Sequence, residues 1–288
     1  MVDKKNPLIR PFLKWAGGKR QLEKPILEEI RPIKYNRYYE PFVGGGAILF
    51  ALQPMTRPVI NDLNDQLITT YKVIKSDVDD LITLLDEHKR NNCKDYYYQL
   101  REMDRDDNFK DLIKSDPVVV AARMIYLNKT CYNGLYRVNS QGFFNTPYGR
   151  YENPSIYDEE VLRAIHRYFV ESKITIKTGN FDKSVKTARK GDLVYFDPPY
   201  DSPNCTNFTG YQAGGFDHNQ QTKLRDLAMN LSDKGVKCLL SNADTEFIRT
   251  LFADNDYFKI TVVKARRMIS SNTDTRGLVD EVLIQTKD

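Results

Sequence analysis

Short apolar runs alternate with amphipathic stretches along this chain, and this alternation predicts strands separated by helices. The predicted strands are residues 37–42, 58–62, 174–177, 193–196 and 236–241. Near the start, a strand, a glycine turn, a helix and a second strand that ends in an acid form a βαβ pattern. Residues 257–263 and 281–286 are expected to form a final antiparallel pair. The pattern therefore predicts an α/β fold.

A long stretch without this alternation separates the second and third predicted strands. Residues 67–128 have helical spacing of apolar positions, and residues 133–151 combine turn residues with alternating aromatics, which is typical of a β-hairpin. We place its turn at residues 139–142. We therefore predict an α/β domain formed by residues 1–63 and 158–288, and an inserted, mostly helical domain, residues 64–157, that carries the hairpin.

Composition narrows the class of protein only slightly. The 288 residues carry a formal net charge of +4, which is compatible with a nucleic-acid partner but is weak evidence for one. The four cysteines and three histidines are scattered, so we expect neither a metal site nor a disulfide framework. No apolar run reaches membrane-spanning length and the polar start is no signal peptide, so the expected location is cytoplasmic.

The tetrapeptide Asp197-Pro198-Pro199-Tyr200 directly follows a predicted strand, where ligands bind in open α/β sheets. The Asp197 carboxylate and the Pro198 carbonyl can accept the two N–H bonds of an exocyclic amine, which favours a pyramidal and more nucleophilic nitrogen. Two prolines fix the backbone there. Tyr200 can stack on a base, and its ring face suits a sulfonium cation. The alternative is an ordinary turn.

Three other segments suit a ligand site. Residues 12–19 join Trp15 to Lys19 through small, flexible residues, although a structural turn is the alternative. Residues 40–46 are rich in glycine but lack dinucleotide-loop spacing and a P-loop lysine, which suits close backbone approach without phosphate binding. Asp62 ends the second strand, where an acid can hold ribose hydroxyls. Its alternative role is a helix N-cap for Leu63 onward.

In this order, these motifs closely resemble those of the Dam family of DNA adenine-N6 methyltransferases, including the Dpn-type adenine methylases of GATC-specific restriction systems. The resemblance spans residue 12 to about residue 284. It implies a Rossmann-like methyltransferase sheet that binds S-adenosyl-L-methionine and methylates N6 of adenine in double-stranded DNA, within GATC. The target base would be flipped out of the stack. A cognate restriction endonuclease acting on the same site is the protein partner that the resemblance allows.

The resemblance also assigns residues to the site. The cofactor contacts that it implies are Trp15, Lys19, Glu40, Phe42, Gly44, Gly46, Asp62, Asn180, Phe181 and Asp197. The catalytic set that it implies is Asp197, Pro198, Pro199 and Tyr200. Within the first group, Asp62 matches the ribose-binding acid, and Asn180 and Phe181 match the pair around the cofactor adenine.

The insertion resembles the family's target-recognition domain. Arg137 can bond a guanine bidentately and Leu135 can touch a thymine methyl group. The DNA-contact candidates are Lys14, Tyr132, Asn133, Leu135, Arg137, Pro147 and Tyr151. Among them, Tyr132, Asn133 and Tyr151 are suited to fill the gap left by an extruded base. A hairpin packed by its own aromatics is the alternative for several of these side chains, and residues 206–211 resemble the segment that closes over the adenine.

Two rival classes of function stay open at this point. An adenine methyltransferase of another target sequence, or an enzyme acting on cytosine N4 or on RNA, could use a similar tetrapeptide. A non-catalytic DNA-binding module would need no intact Asp62, Asp197 and Tyr200, and all three are present. Transfer of labelled methyl to duplex DNA, to RNA or to neither separates these classes.

Overall fold

The computed structural model describes residues 5–15, 22–201, 216–254, 256–266 and 278–287. Within them, the strands are β1 (Tyr38–Glu40), β2 (Val59–Asp62), β3 (Thr175–Thr178), β4 (Leu193–Phe196), β5 (Lys237–Ala243), β6 (Phe258–Arg266) and β7 (Leu278–Thr286). The α-helices are α1 (Glu23–Ile30), α2 (Ala47–Leu52), α3 (Asp65–Ser76), α4 (Val78–Arg90), α5 (Lys94–Glu102), α6 (Phe109–Ser115), α7 (Pro117–Thr130), α8 (Glu159–Glu171), α9 (Phe181–Ser184), α10 (His218–Asp233) and α11 (Glu246–Leu251). Short 3₁₀ helices cover Met103–Arg105 and Tyr132–Gly134.

The strands form one seven-stranded sheet in the order β3-β2-β1-β4-β5-β7-β6. The five strands from β3 to β5 are parallel, whereas β7 is antiparallel to both β5 and β6. The first five positions follow the doubly wound Rossmann order, whose strand direction brings the carboxyl ends of β1, β2 and β4 to one edge. The predicted α/β fold and its final antiparallel pair are confirmed.

Each central strand buries side chains on both faces of the sheet, as expected for parallel strands covered by helices. Tyr38 and Leu193 belong to one apolar cluster, and their neighbours Tyr39 and Val194 belong to the other. β1 is shorter than the predicted strand 37–42, because Pro41 has no N–H to donate to a neighbouring strand. The chain therefore turns away from the sheet directly after Glu40.

Helices α3 to α7 all lie between β2 and β3 along the chain. The helical region predicted for residues 67–128 is thus confirmed as a set of separate helices. α3 packs against both α7 and α8, and Ile60 of β2 shares one apolar cluster with Ile125 of α7. This shared core connects the inserted helices to the sheet. The division into two domains stays a prediction.

Side-chain caps mark the starts of several helices. Asn64 Oδ1 accepts the Leu67 N–H at 2.9 Å, which starts α3. Asp116 caps α7, whose first residue is Pro117, and Asp158 caps α8. Such oxygens satisfy backbone N–H groups that have no partner within the helix. The starts of α3, α7 and α8 are therefore readable from the polar residue that directly precedes each helix.

The segment predicted as a hairpin reverses direction with little regular pairing. Gly142 N donates to Asn139 O at 3.0 Å, and Gly142 has a positive φ of 86°, so the turn at residues 139–142 is confirmed. Its arms are joined by two isolated bridges, Val138 with Phe144 and Cys131 with Tyr148. We call residues 131–151 the reading loop.

In the described part of the chain, no helix combines the length and the apolar character that a membrane crossing requires.

Candidate active site

Asp197 lies at the carboxyl end of β4, as predicted, and the structure places β4 between β1 and β5. Ser241, on β5, donates its hydroxyl to Asp197 Oδ1 at 3.0 Å. Ser241 Oγ in turn lies 2.9 Å from the hydroxyl oxygen of the fully buried Tyr195. These contacts fix the rotation of the Asp197 carboxylate, because one of its two oxygens is already committed to Ser241.

A buried amide pair anchors the backbone of the tetrapeptide. Gln221, on α10, donates from Nε2 to Pro199 O at 3.0 Å. Asn242 donates from Nδ2 to Gln221 Oε1 and accepts the Asp201 N–H at 3.0 Å. Gln221 is 0% exposed and Asn242 is 2% exposed, so water does not compete for these bonds. The polypeptide is therefore held on both sides of Tyr200.

Tyr200 is half-buried beside this backbone. Burial raises the pKa of its phenol well above the ordinary value, and the carboxylates of Asp197 and Glu281 raise it further. The side chain thus stays a neutral phenol at any physiological pH. A neutral aromatic ring next to a fixed carboxylate is what stacking on a planar amine-bearing ligand requires.

Glu40 ends β1, the strand next to β4, and is 2% exposed. Tyr38 donates its hydroxyl to Glu40 Oε2 at 2.8 Å. Burial raises the pKa of the Glu40 carboxyl to about 8, and the negative charge of Asp197 contributes to the increase. The site therefore brings carboxyl groups from two neighbouring strands within electrostatic reach of each other, an arrangement that favours a positively charged ligand.

Asp62 ends β2 and ties down the glycine loop, which we define as residues 43–46. Its Oδ2 accepts the Gly44 N–H at 3.0 Å, and its Oδ1 accepts the Asn64 N–H at 3.0 Å. Burial raises the pKa of the Asp62 carboxyl, while these backbone donors oppose the increase. Asn64 caps α3, so the alternative role of Asp62 as the helix N-cap is wrong.

The glycines of this loop have backbone conformations and neighbours that exclude side chains. Gly44 and Gly46 have positive φ values of 48° and 72°. A Cβ atom on Gly46 would lie 2.7 Å from the Tyr71 hydroxyl oxygen. The loop therefore requires glycine both for its conformation and for its packing.

An aromatic cluster lies beyond the ends of β1 and β3. Phe42 stacks on Phe181 with ring centroids 5.3 Å apart. Phe216 contacts both rings, at 5.7 Å from Phe42 and 5.8 Å from Phe181. Asn180 is the N-cap residue of α9 and directly precedes Phe181. The structure thus brings the sequence-predicted Phe42 and Phe181 together and adds Phe216 to their cluster, which sequence reasoning missed.

Trp15 lies between the glycine loop and the reading loop. Its ring stacks on Tyr136 with a centroid distance of 5.0 Å and an interplanar angle of 22°. A Cβ atom on Gly44 would lie 3.0 Å from Trp15 Cδ1. The ammonium of the preceding Lys14 lies 5.6 Å from the Tyr151 ring centroid. Two adjacent residues therefore contact both the proposed cofactor loop and the proposed DNA reader.

Most of the DNA-contact candidates are exposed on the reading loop. The exposed candidates on this loop are Tyr132, Asn133, Arg137, Pro147 and Tyr151. Leu135 is half-buried, and Lys14 lies exposed beside the loop. Tyr132 is 58% exposed despite its size, and its backbone N–H is held by Pro147 O at 2.8 Å. A large exposed aromatic on a fixed backbone suits stacking on a ligand rather than core packing.

Arg137 has a supporting partner that sequence reasoning missed. Its Nε donates to Asn145 Oδ1 at 2.8 Å, and Asn145 N donates to Arg137 O at 3.0 Å. Asn145 therefore holds both the guanidinium and the backbone of Arg137. By contrast, Tyr136 and Phe144, which are not DNA-contact candidates, are buried and pack together with ring centroids 5.6 Å apart.

Some predicted positions lie outside the described residues. These are Lys19 and the segment of residues 206–211. The polar residues Ser241 and Asn242 were not assigned a role from the sequence. Their signal was available, because they come at the end of a predicted apolar strand whose parallel neighbour carries Asp197.

Comparisons with known proteins agree with this geometry. Residues 15–269 match the family described as D12 class N6 adenine-specific DNA methyltransferase. The chain is 43% identical to the type II methyltransferase M1.LlaDCHI of Lactococcus lactis subsp. cremoris, covering 99% of this chain and 98% of that protein. It is 40% identical to the type II methyltransferase M.MjaIII of Methanocaldococcus jannaschii, covering 93% and 95%.

A third relative is named a DNA adenine methylase rather than a type II methyltransferase. The chain is 36% identical to the DNA adenine methylase of Escherichia coli (strain K12), covering 95% of this chain and 94% of that protein. The resemblance to the Dam family is therefore confirmed over almost the whole length. The chain belongs to the D12 class of N6 adenine-specific DNA methyltransferases.

Proposed function

We propose that this DNA adenine-N6 methyltransferase takes its methyl group from S-adenosyl-L-methionine and modifies the adenine of GATC after flipping it out of duplex DNA. Family membership favours adenine N6 of DNA over cytosine N4, RNA and the non-catalytic alternative. The observation that carries the proposal is the Asp197 carboxylate, which Ser241 holds at the end of β4 beside the buried Glu40.

The residues around this position fit the proposed cofactor. Glu40, Asp62 and Asp197 end three adjacent parallel strands, and together they suit a ligand that carries sulfonium and ammonium charges. Asp62 offers a carboxylate for ribose hydroxyls, and the stacked rings of Phe42 and Phe181 suit a purine. S-adenosyl-L-methionine supplies an electrophilic methyl group when it is bound there.

The catalytic set would act on the exocyclic amine. Asp197 and the Pro198 carbonyl accept the two N6–H bonds, which directs the nitrogen lone pair toward the methyl group. Tyr200 stacks on the adenine and resists its return to the duplex. The new N–C bond would form as the bond between the methyl carbon and sulfur breaks, so that S-adenosyl-L-homocysteine leaves. The nitrogen then carries a positive charge until it loses a proton, which Asp197 is placed to accept. Orientation and electrostatic complementarity supply the rate increase.

The reading loop would supply sequence selection. Arg137, oriented by Asn145, reads a guanine in the major groove, and Leu135 contacts a thymine methyl group. Tyr132, Asn133 and Tyr151 occupy the gap in the stack, and Lys14 and Pro147 complete the contact surface. The exposed positions of these side chains and the motif resemblance support this assignment. We propose residues 64–157 as the target-recognition domain on the same grounds.

Sequencing of modified bases in a plasmid from cells that express the protein tests this function. We expect N6-methyladenine at GATC sites, and none when cells express Asp197→Ala. Methylation of adenine in another sequence would overturn the GATC assignment and leave the reaction intact. A plasmid modified equally by the Asp197→Ala variant would overturn the catalytic assignment.

Two names among the relatives bear on a protein partner. Both type II methyltransferases carry names used for restriction–modification enzymes, whereas the Escherichia coli protein is named a DNA adenine methylase. We propose a cognate restriction endonuclease that cuts the same site, without a stable complex. The plasmid from the expression experiment should then resist an endonuclease that cuts only unmethylated GATC.

A further inference from the structure

The glycine loop and the reading loop are connected by one dipeptide, Lys14-Trp15. The Trp15 ring stacks on Tyr136 at 5.0 Å and also packs over the glycine loop, where a Cβ on Gly45 would lie 2.8 Å from Trp15 Cβ. Because this contact leaves no space, a shift of the glycine loop displaces Trp15, and a shift of Trp15 displaces Tyr136. Close-packed neighbours transmit such movements rather than absorbing them.

A second connection joins the backbone of the same dipeptide to the base of the reading loop. Asn128, on α7, accepts the Lys14 N–H through Oδ1 at 2.8 Å and donates from Nδ2 to Lys14 O at 2.7 Å. The same Nδ2 lies 3.3 Å from Gly134 O, in the reading loop. Asn128 is 0% exposed, so its amide is fully committed to these partners and shielded from water.

The Lys14 side chain adds a steric contact to this amide connection. A Cβ atom on Gly134 would lie 2.2 Å from Lys14 Cδ, and Gly134 has a positive φ of 64°. The Lys14 stem therefore lies directly against the Gly134 backbone. Two sets of contacts, one through the Trp15 ring and one through the Lys14 backbone and stem, thus join the dipeptide to the reading loop, while Trp15 also contacts the glycine loop.

We infer that Asn128 and Tyr136 are positioning residues that hold the Lys14-Trp15 dipeptide so that cofactor binding and DNA recognition strengthen each other. This inference rests on the proposed function, since it takes the glycine loop as the cofactor site and the reading loop as the DNA site. Coupling between two sites is reciprocal: the cofactor raises DNA affinity by the same factor by which DNA raises cofactor affinity.

The measurement uses S-adenosyl-L-homocysteine, which lacks the transferable methyl group, and a labelled duplex that contains GATC. Duplex affinity is measured by fluorescence anisotropy with and without S-adenosyl-L-homocysteine, and the ratio of the two dissociation constants is the coupling factor. For the unaltered chain we expect a factor of about 10, within the usual range for coupled sites. The reverse titration should return the same factor.

Two substitutions at Tyr136 separate the stack from the fold. Tyr136→Phe keeps an aromatic ring on Trp15 and should keep the coupling factor. Tyr136→Leu should lower the factor to about 3, because only the Lys14 contacts then join the dipeptide to the reading loop, while each ligand still binds alone. Phe143→Leu is the matched control, because Phe143 lies in the same loop under Arg105. It should leave the coupling factor unchanged. Asn128→Ala should lower the factor in the same way as Tyr136→Leu.

Tryptophan emission gives a spectroscopic readout at the connection itself. The chain contains a single tryptophan, Trp15, so its intrinsic emission reports this site alone. Adding the duplex should change that emission in the unaltered chain and in Tyr136→Phe, and should leave it nearly constant in Tyr136→Leu. Because Tyr136→Leu should still bind each ligand alone, constant emission in this variant would report loss of the stack and not loss of binding.

The outcomes separate the inference from the proposed function. If the unaltered chain binds both ligands with a coupling factor of 1, the inference is overturned and the proposed function stands. The same holds if Tyr136→Leu keeps the full factor. If the unaltered chain fails to bind S-adenosyl-L-homocysteine or the duplex, the proposed function is overturned, and the inference falls with it.

Discussion

The buried Glu40 carboxyl should make the stability of this protein depend on pH above neutrality. Burial raises the pKa of Glu40 to about 8 in the folded chain, against a reference value of 4.5. Between these two values the folded state binds one more proton than the unfolded state at this residue. The free energy of unfolding therefore falls as pH rises.

The size of this change in stability follows from the shift in the pKa of Glu40. The stabilisation by the protonated carboxyl is complete below about pH 4.5 and is lost as pH rises through about 8. One proton corresponds to about 1.4 kcal/mol for each pH unit within this window. Between pH 6 and pH 8 the Glu40 contribution should therefore fall by about 2 kcal/mol.

Glu40→Gln removes this proton linkage while preserving the shape of the side chain. The glutamine oxygen can still accept the Tyr38 hydroxyl, so the variant resembles the protonated wild type. In urea unfolding, the variant should be more stable than wild type by about 2 kcal/mol at pH 6 and by about 4 kcal/mol at pH 8, because the wild-type loss begins near pH 4.5. Glu87→Gln, at an exposed position on α4, is the control for the same chemical change.

Parallel pH dependence of wild type and Glu40→Gln would refute the reasoning, because it would show that Glu40 gains no proton on folding. If Glu40→Gln were less stable than wild type by the same amount at both pH values, the conclusion would again be that Glu40 gains no proton on folding. An equally large change in stability for Glu87→Gln would show that the pH dependence does not come from Glu40.

Three further outcomes are expected. Ser241→Ala should lower the single-turnover methylation rate by about 10-fold to 150-fold, because a hydrogen bond to the Asp197 carboxylate is worth about 1.5–3 kcal/mol. Ser241→Thr keeps the hydroxyl and should keep most of the rate, so equal rates for the two variants would contradict a role for this hydrogen bond. Asp62→Asn should weaken binding of S-adenosyl-L-homocysteine in calorimetry by a similar factor, and an unchanged dissociation constant would remove the ribose contact from Asp62. Asp104→Ala should destabilise the fold by about 3–5 kcal/mol in urea, because it leaves the buried Arg123 guanidinium without its 3.0 Å partner. A loss under 1 kcal/mol would show that two backbone carbonyls and the Gln66 amide oxygen satisfy Arg123 without the carboxylate.

The strand ends that carry Asp62 and Asp197 were predictable from the sequence. In both cases an apolar run ends in an acid, and parallel strands bring their carboxyl ends to one edge of the sheet. The local pattern contains all the information needed for this step. The glycines at positions 44 and 46 were predictable for the same reason, since their conformation is a local property.

The partners of these residues were not predictable, because they come from distant parts of the chain. Ser241 lies 44 residues after Asp197 along the sequence, and Gln221 lies 22 residues after Pro199. No local pattern encodes which polar residue of a neighbouring element meets a carboxylate. The alternation of aromatics in the reading loop was also misleading: Tyr136 packs on Trp15 instead of extending a paired strand.

The placement of the inserted helices has a consequence for how target choice can diversify. A parallel pair such as β2 and β3 needs a crossover, and here that crossover is the whole segment of residues 63–174. The entropy of closing a loop grows only with the logarithm of its length, so a crossover of about 110 residues costs only about 2 kcal/mol more than one of about 12. The packing of α3 against α7 and α8 offsets such a cost. The proposed DNA reader at this point can therefore lengthen, shorten or be replaced while the neighbouring strands keep their order and register.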